Sequence, residues 1–198
     1  MTYRIVSIDE EPISLELAKQ QCRIDIDSDE SPDDALIRSY ISAARGHCED
    51  FTGLTLARKT IELAMDMFPE DSSAIELLAP ANKILSVNFY DNENVQQSLH
   101  PDSYTVDNFS KPGWLVILNG YSWPGVYPRP NAVKITYEAG YGTVEYTEAI
   151  PEQAKIAILL TIGHMYENRE EVTDKAVYAL PLGVESLLRP LRVRLGMA

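Results

Sequence analysis

The chain has 198 residues, 45% of them hydrophobic, enough for one sizeable domain, or a domain with an inserted subdomain, around a real core. Thirty acidic residues against 17 basic ones give a net charge of -13. That excludes an exterior that wraps nucleic acid by neutralising phosphates, and fits equally a conduit that lets DNA slide past or an ordinary acidic enzyme. The balance is uneven: residues 1–34 carry ten acids and three bases, whereas residues 175–198 carry four bases (Lys175, Arg189, Arg192, Arg194) and one acid, Glu185. The two ends are suited to attract one another or a neighbouring subunit, or simply to face water.

The N-terminus, MTYRIVSIDEEP, has no basic start followed by an apolar run, so no signal peptide is expected and the chain should stay in the cytoplasm where it is made. Ser14 can cap a short helix through about Arg23, with Leu15, Ala18 and Cys22 at helical spacing. A polar acidic loop follows. Its Asp25, Asp27 and Asp29 have the opening spacing of a calcium loop, but Glu30 stands where glycine is needed and Leu36 where a bidentate glutamate is needed. Ser31-Pro32-Asp33-Asp34 combines a capping hydroxyl, a first-turn proline and carboxylates at the positive dipole end, and predicts a second helix. Ile37, Tyr40, Ile41, Ala44, Cys48 and Phe51 form its apolar stripe, and Gly53 sits where a left-handed cap ends it.

From Gly53 to about residue 148, β-branched and aromatic residues fall in short runs broken by Pro, Gly, Asn and Asp, which reads as antiparallel β. The expected strands are about Leu56–Met67, Ala74–Leu78, Ile84–Tyr90, Tyr104–Val106, Trp114–Ile117 and Ala132–Tyr137. Asp91-Asn92, Lys111-Pro112-Gly113 and Trp123-Pro124-Gly125 supply the turns. Pro151 and Glu152 reopen helix. From Ile156 to Ile162 nearly every residue of it is apolar, so protein must cover most sides, and the run is well short of the roughly 18 to 20 residues a bilayer span needs. A final helix, roughly Val184–Leu188, continues unevenly past Pro190. The fold class is therefore α+β: a helical bundle from the N-terminal part (1–53) and the C-terminal part (150–198), with an antiparallel β insert at 54–149.

Chemistry is sparse. Cys22 and Cys48 form neither a CxxC nor a Cys/His ladder, and His47, His100 and His164 lie in separate segments without a ligand pair, so no metal or cofactor is expected. His164 and Glu167 fall one turn apart, where they share a proton or merely hydrogen-bond. The glycine segments at Gly125 and at Gly140-Tyr141-Gly142 match neither a P-loop nor a dinucleotide fingerprint, and no GxSxG elbow is present. The aromatics of the insert (Tyr104, Trp114, Tyr121, Trp123, Tyr127, Tyr137, Tyr141) have few bases beside them, which favours core and subunit contact over base stacking.

In order and spacing these segments resemble the head-tail connector, or adaptor, proteins of tailed bacteriophages and related prophage particles, in the larger form with a β insert. The motifs are Ser14-Leu15-Glu16-Leu17-Ala18-Lys19 before Arg23-Ile24-Asp25, Asp33-Asp34-Ala35-Leu36-Ile37, Ala43-Ala44-Arg45 and Glu49-Asp50-Phe51-Thr52-Gly53. They continue with Asp102-Ser103-Tyr104-Thr105-Val106-Asp107, Trp123-Pro124, Ile135 to Gly142, Ile150-Pro151, Ala157 to Leu160, Tyr166 to Glu170, Leu180-Pro181 and Leu187-Leu188.

The resemblance implies a structural protein of the virion neck, without turnover, that docks in a ring of about a dozen copies beneath the portal and extends the channel towards the tail. The implied partners are the portal, other copies of the chain and a tail-completion or stopper protein, with DNA passing through without sequence-specific binding and no membrane involved. It makes Leu187, Leu188, Arg189, Leu191, Arg192 and Arg194 candidate portal contacts; Arg169, at a charged helix end, is a candidate subunit contact that pairs with an acid on a neighbouring subunit, within its own chain, or simply faces water. Two other readings stay open: a neck or tail-completion protein one layer further down, and a small acidic enzyme or binding domain with a scattered site such as His47, Glu49 and His164.

Overall fold

A computed structural model describes residues 1–24, 33–70, 72–142, 149–168 and 182–193. Twelve regular elements follow in the order β1 (Thr2–Glu10), α1 (Leu15–Gln21), α2 (Asp34–Thr52), β2 (Arg58–Met65), β3 (Ala74–Leu77), β4 (Ala81–Tyr90), β5 (Gln96–Ser98), β6 (Tyr104–Asp107), β7 (Gly113–Ile117), β8 (Val133–Ala139), α3 (Glu152–Glu167) and α4 (Leu182–Leu188). Helices and antiparallel strands make an α+β fold, as expected from the sequence. The described residues divide into two compact units.

The β unit holds Met1–Glu10 and the residues from Ala57 to Gly142. Its larger sheet has the order β1-β2-β8-β4-β5 and its smaller one β3-β7-β6, with every pairing antiparallel. β8 alternates buried and half-buried positions along its length, so one face packs and the other meets water. In register across it, Ile61 meets Tyr137, Leu63 meets Ile135 and Met65 meets Val133, while Val87 and Phe89 of β4 flank Ile135 and Val133 from the other side. Ile75, Leu77 and Leu115 of the smaller sheet join the same buried cluster, so the core of this unit draws on both sheets. Gly140 has φ +103, and a Cβ there would collide with the Ala57 carbonyl, so glycine alone fits.

The sequence reading assigned residues 1–53 to helices, but the first ten form β1, the edge strand beside β2. Its pairing is interrupted by register shifts at Val6 and at Asp9. The short polar β5 was not expected either.

The helical unit holds Glu11–Leu56 and Ala149–Val193. The Ser14 hydroxyl caps α1 by accepting from the Leu17 N–H at 3.2 Å. Asp33 is the N-cap residue of α2, and the Ser31 and Pro32 expected to open it lie outside the described residues. Gly53 closes α2 in the left-handed conformation at φ 72, its N–H donating to the Glu49 carbonyl at 2.8 Å. Ile37, Ile41, Ala44 and Cys48 of α2, Ala157, Ile158 and Ile162 of α3, and Val184 and Leu188 of α4 form the buried interior. Covered in this way, α3 still leaves Ile156 and Leu160, one turn apart, 46% and 39% exposed.

Candidate interaction surfaces

The C-terminal candidates start from α4, whose chain runs through Pro190 in a single tight turn, Arg189–Leu191, and then extends at Arg192. Leu188 is wholly buried within its own unit, Leu187 and Leu191 are half-buried, and Arg189 and Arg192 are exposed. The side chains available to a partner are therefore those of the two arginines, with Leu187 and Leu191 beside them. Arg194 and Arg169 lie outside the described residues.

The end of α2 anchors this segment. The Val193 N–H donates to the Thr52 carbonyl at 2.7 Å, and the Arg192 guanidinium lies 5.7 Å from the centre of the Phe51 ring. Thr52 is itself fixed: its hydroxyl donates to the Cys48 carbonyl at 2.7 Å and accepts from the Leu54 N–H at 3.2 Å. About two turns before Thr52, buried Arg45 donates to Glu11 at 2.7 Å and to Glu49 at 2.6 Å. Burial opposes its charge, but those two carboxylates outweigh burial and hold its pKa above the ordinary value. The other oxygen of Glu49 accepts from the Leu56 N–H at 2.8 Å. Glu49 thus has both oxygens engaged, one with Arg45 in its own helix and one with the segment after it.

The other residues of the scattered-site reading, His47 and His164, differ in their surroundings. His164 accepts the Asn168 amide on its backbone carbonyl at 2.9 Å, with the same amide 3.3 Å from its ring Nδ1. His47 has a buried Nε2 with no hydrogen-bond partner. Among the described residues no group of three His, Cys, Asp or Glu side chains is placed to hold a metal ion, and no helix is long and apolar enough to cross a membrane.

The β unit carries an open cleft of about 700 Å³ between the end of β2 and the start of β3, lined by Met67, Phe68, Ile117, Trp123 and Val126 among others. Trp123 stacks on Phe68 with ring centres 4.8 Å apart and planes 7° off parallel, and its indole N–H donates to the Ser72 carbonyl at 3.0 Å. The sequence reading took Trp123-Pro124-Gly125 as a turn and Trp123 as a core or subunit-contact aromatic, without a partner for its ring. Its partner Phe68 lies 55 residues away, beyond the reach of any local pattern. Elsewhere on this unit, in the β6–β7 hairpin, Phe109 is 93% exposed.

Among the described residues the features that offer contact are Ile156 and Leu160 on the helical unit, the arginines of the docked terminal segment, and Phe109 and the cleft on the β unit. The chain belongs to the phage gp6-like head-tail connector protein family, whose model matches residues 12–121. It is similar over 100% of its length to chains in three solved structures, covering 99% of each. These are the virion of a native gene transfer agent particle (21% identity, TM-score 0.76), the neck of an empty gene transfer agent particle computed with C6 symmetry (21%, 0.78) and the neck of a native one computed with C12 symmetry (20%, 0.74). At these identities the likeness establishes the fold. No curated protein matches the chain in sequence.

Proposed function

We propose that this head-tail connector works in the neck of a phage or phage-like particle. Its copies form a ring beneath the portal, extend the DNA channel and pass it to a tail-completion or stopper protein. The observation that carries the reading is the family match over residues 12–121, which spans α1, α2 and most of the β unit. The full-length likeness to neck chains in particles computed with C12 and C6 symmetry supports the ring. A net charge of -13 suits a wall that DNA must slide past, because a basic wall would hold the phosphates.

Within this reading Arg189 and Arg192, with Leu187 and Leu191 beside them, are the described portal contacts, and Arg194 continues the basic series in sequence. Their positive charge in an acidic chain gives the segment a distinct address, and its attachment to Thr52 and Phe51 presents it in one position. The role is structural, with no reaction to catalyse.

Deleting the gene in the source phage or prophage and imaging the lysate tests the role. Separate DNA-leaking heads and finished tails are expected, with joined particles restored by complementation. Intact infectious particles from the deletion would refute the role. Replacing Arg189, Arg192 and Arg194 with Glu should leave the fold intact and block attachment to portal-bearing heads; normal attachment would refute the terminal contact.

A further inference from the structure

Phe109 and the Phe68–Trp123 cleft lie at opposite ends of the smaller sheet. The β6–β7 hairpin carries Phe109 beyond Asp107 and before Gly113, whereas the cleft takes in Ile117 at the far end of β7 and Ser72 and Ser73 just before β3. Gly113 and Ile117 are four residues apart on one strand, about 13 Å at strand rise, so the length of β7 separates the Phe109 hairpin from the cleft of its own chain.

Phe109 is presented, not loose. The Asp107 carboxylate accepts from the Phe109 N–H at 3.0 Å and from the Ser110 N–H at 3.1 Å, which pins the tip backbone. On the other flank the Lys111 ammonium sits 5.6 Å from the centre of the Tyr141 ring. An exposed aromatic held by its own turn meets a partner with little further ordering to lose. The cleft is equally prepared: Phe68 is fixed by the stack on Trp123 and by an edge contact to Phe89, ring centres 5.9 Å apart, and at about 700 Å³ it has room for a phenyl ring and its neighbours. Phe109 is flanked by Asp107 and Lys111, whose charges offset one another, and Glu70 on the lining of the cleft is opposite in sign to Lys111 alone.

We propose that Phe109 of one copy seats in the Phe68–Trp123 cleft of the next copy around the ring. The inference rests on the ring reading above and assigns it a boundary. A protrusion at one end of a sheet and its receptor at the other give a head-to-tail contact, which leaves one of each unused in any open chain of copies and is satisfied throughout only by closure. One phenylalanine supplies about 150–250 Å² of contact, far below the roughly 1,200 Å² of a stable interface. It is therefore an anchor within a wider boundary, and free chains need not associate through it.

The test pairs Asn108→Cys, beside the anchor, with Ser122→Cys on the cleft lining, in particles assembled from the full-length chain and treated with an oxidant or a short bismaleimide. The expected result is a ladder of covalent oligomers beyond the dimer, absent from either single variant, which still carry Cys22 and Cys48. Neck-incorporated double variant that stays monomeric, stops at the dimer or links to a different protein would overturn the proposal while leaving the connector role intact. A wild-type chain missing from purified particles would overturn the connector role and this contact together. As a second measurement, Phe109→Ala should fold normally yet lower the yield of joined particles about tenfold or more, with Phe109→Leu retaining most of it. Undiminished yield from Phe109→Ala would also overturn the proposal.

Discussion

Lys19 in the last turn of α1 and Asp34 at the start of α2 meet at 2.6 Å with side chains only 7% and 8% exposed. The pair clamps the two N-terminal helices together, and neither charge has water to fall back on. Lys19→Met leaves a buried carboxylate without its partner and should cost about 3–5 kcal/mol, whereas Lys19→Met with Asp34→Leu should recover most of that. Urea denaturation of the three proteins checks it: a single variant as stable as the double would show that the carboxylate rehydrates.

Gly140→Ala should be far more damaging than Gly120→Ala, although both glycines have positive φ, +103 and +90. At Gly120 nothing lies within reach of an added Cβ, so only backbone strain of about 1–2 kcal/mol is expected. At Gly140 the methyl group meets the Ala57 carbonyl and the backbone must move, a loss of about 3 kcal/mol or more. Thermal melts of the two variants should separate accordingly; equal midpoints would mean that this backbone shifts freely.

Stability should be level to about pH 9 and fall above it. Burial, with a smaller push from the Glu49 carboxylate, raises the Cys48 thiol from 9.0 to about 12. Burial also raises Tyr137, against the opposing hydrogen bond that its oxygen accepts from the Leu78 N–H. Between the ordinary and the raised values the unfolded chain has released protons that the folded chain keeps, so each group removes about 1.4 kcal/mol per pH unit. Both contributions are fully present below the ordinary values and are lost as pH rises towards the folded ones. Urea melts at pH 8, 9.5 and 10.5 test the fall, and Cys48→Ala should make it shallower.

Phe51→Leu should change stability by no more than about 1 kcal/mol, because the ring interacts with an exposed guanidinium. It should nevertheless weaken attachment to portal-bearing heads, since Arg192 then loses one of the two contacts that position its segment. Attachment at the wild-type level would show that the Arg192–Phe51 contact does not position the segment.

The helices and the central strands were legible because their patterns are local: the stripe from Ile37 to Phe51, the cap at Gly53, and the alternation across Ile61, Leu63 and Met65. β1 was not, because the extra residue at Val6 breaks the two-residue period between Ile5 and Ile8, leaving no clean alternation to read. β5, Gln-Gln-Ser, has no apolar residue and owes its existence to β4. The apolar run of α3 announced that cover was needed and did not tell which face would stay open; Ile156 and Leu160 give that answer only in the fold. The terminal arginines stand out in the charge balance, but their candidacy as portal contacts comes from the resemblance, and Leu188, marked by the same resemblance, is spent inside its own unit. Phe109 carries no sequence signal beyond being aromatic in a loop, and Trp123, though part of a family motif, carries none that points to Phe68.

The interruptions in β1 bear on how such a chain survives its own abundance. A particle neck draws many copies to one place, and a nine-residue strand edge with Tyr3, Ile5, Val6 and Ile8 exposed would invite uncontrolled stacking between them. The irregularities at Val6 and Asp9, the charges of Arg4, Asp9 and Glu10, and the three-residue length of β5 at the opposite edge each spoil a straight ladder. An edge broken in this way is a poor template for a fibre even where many copies are crowded together.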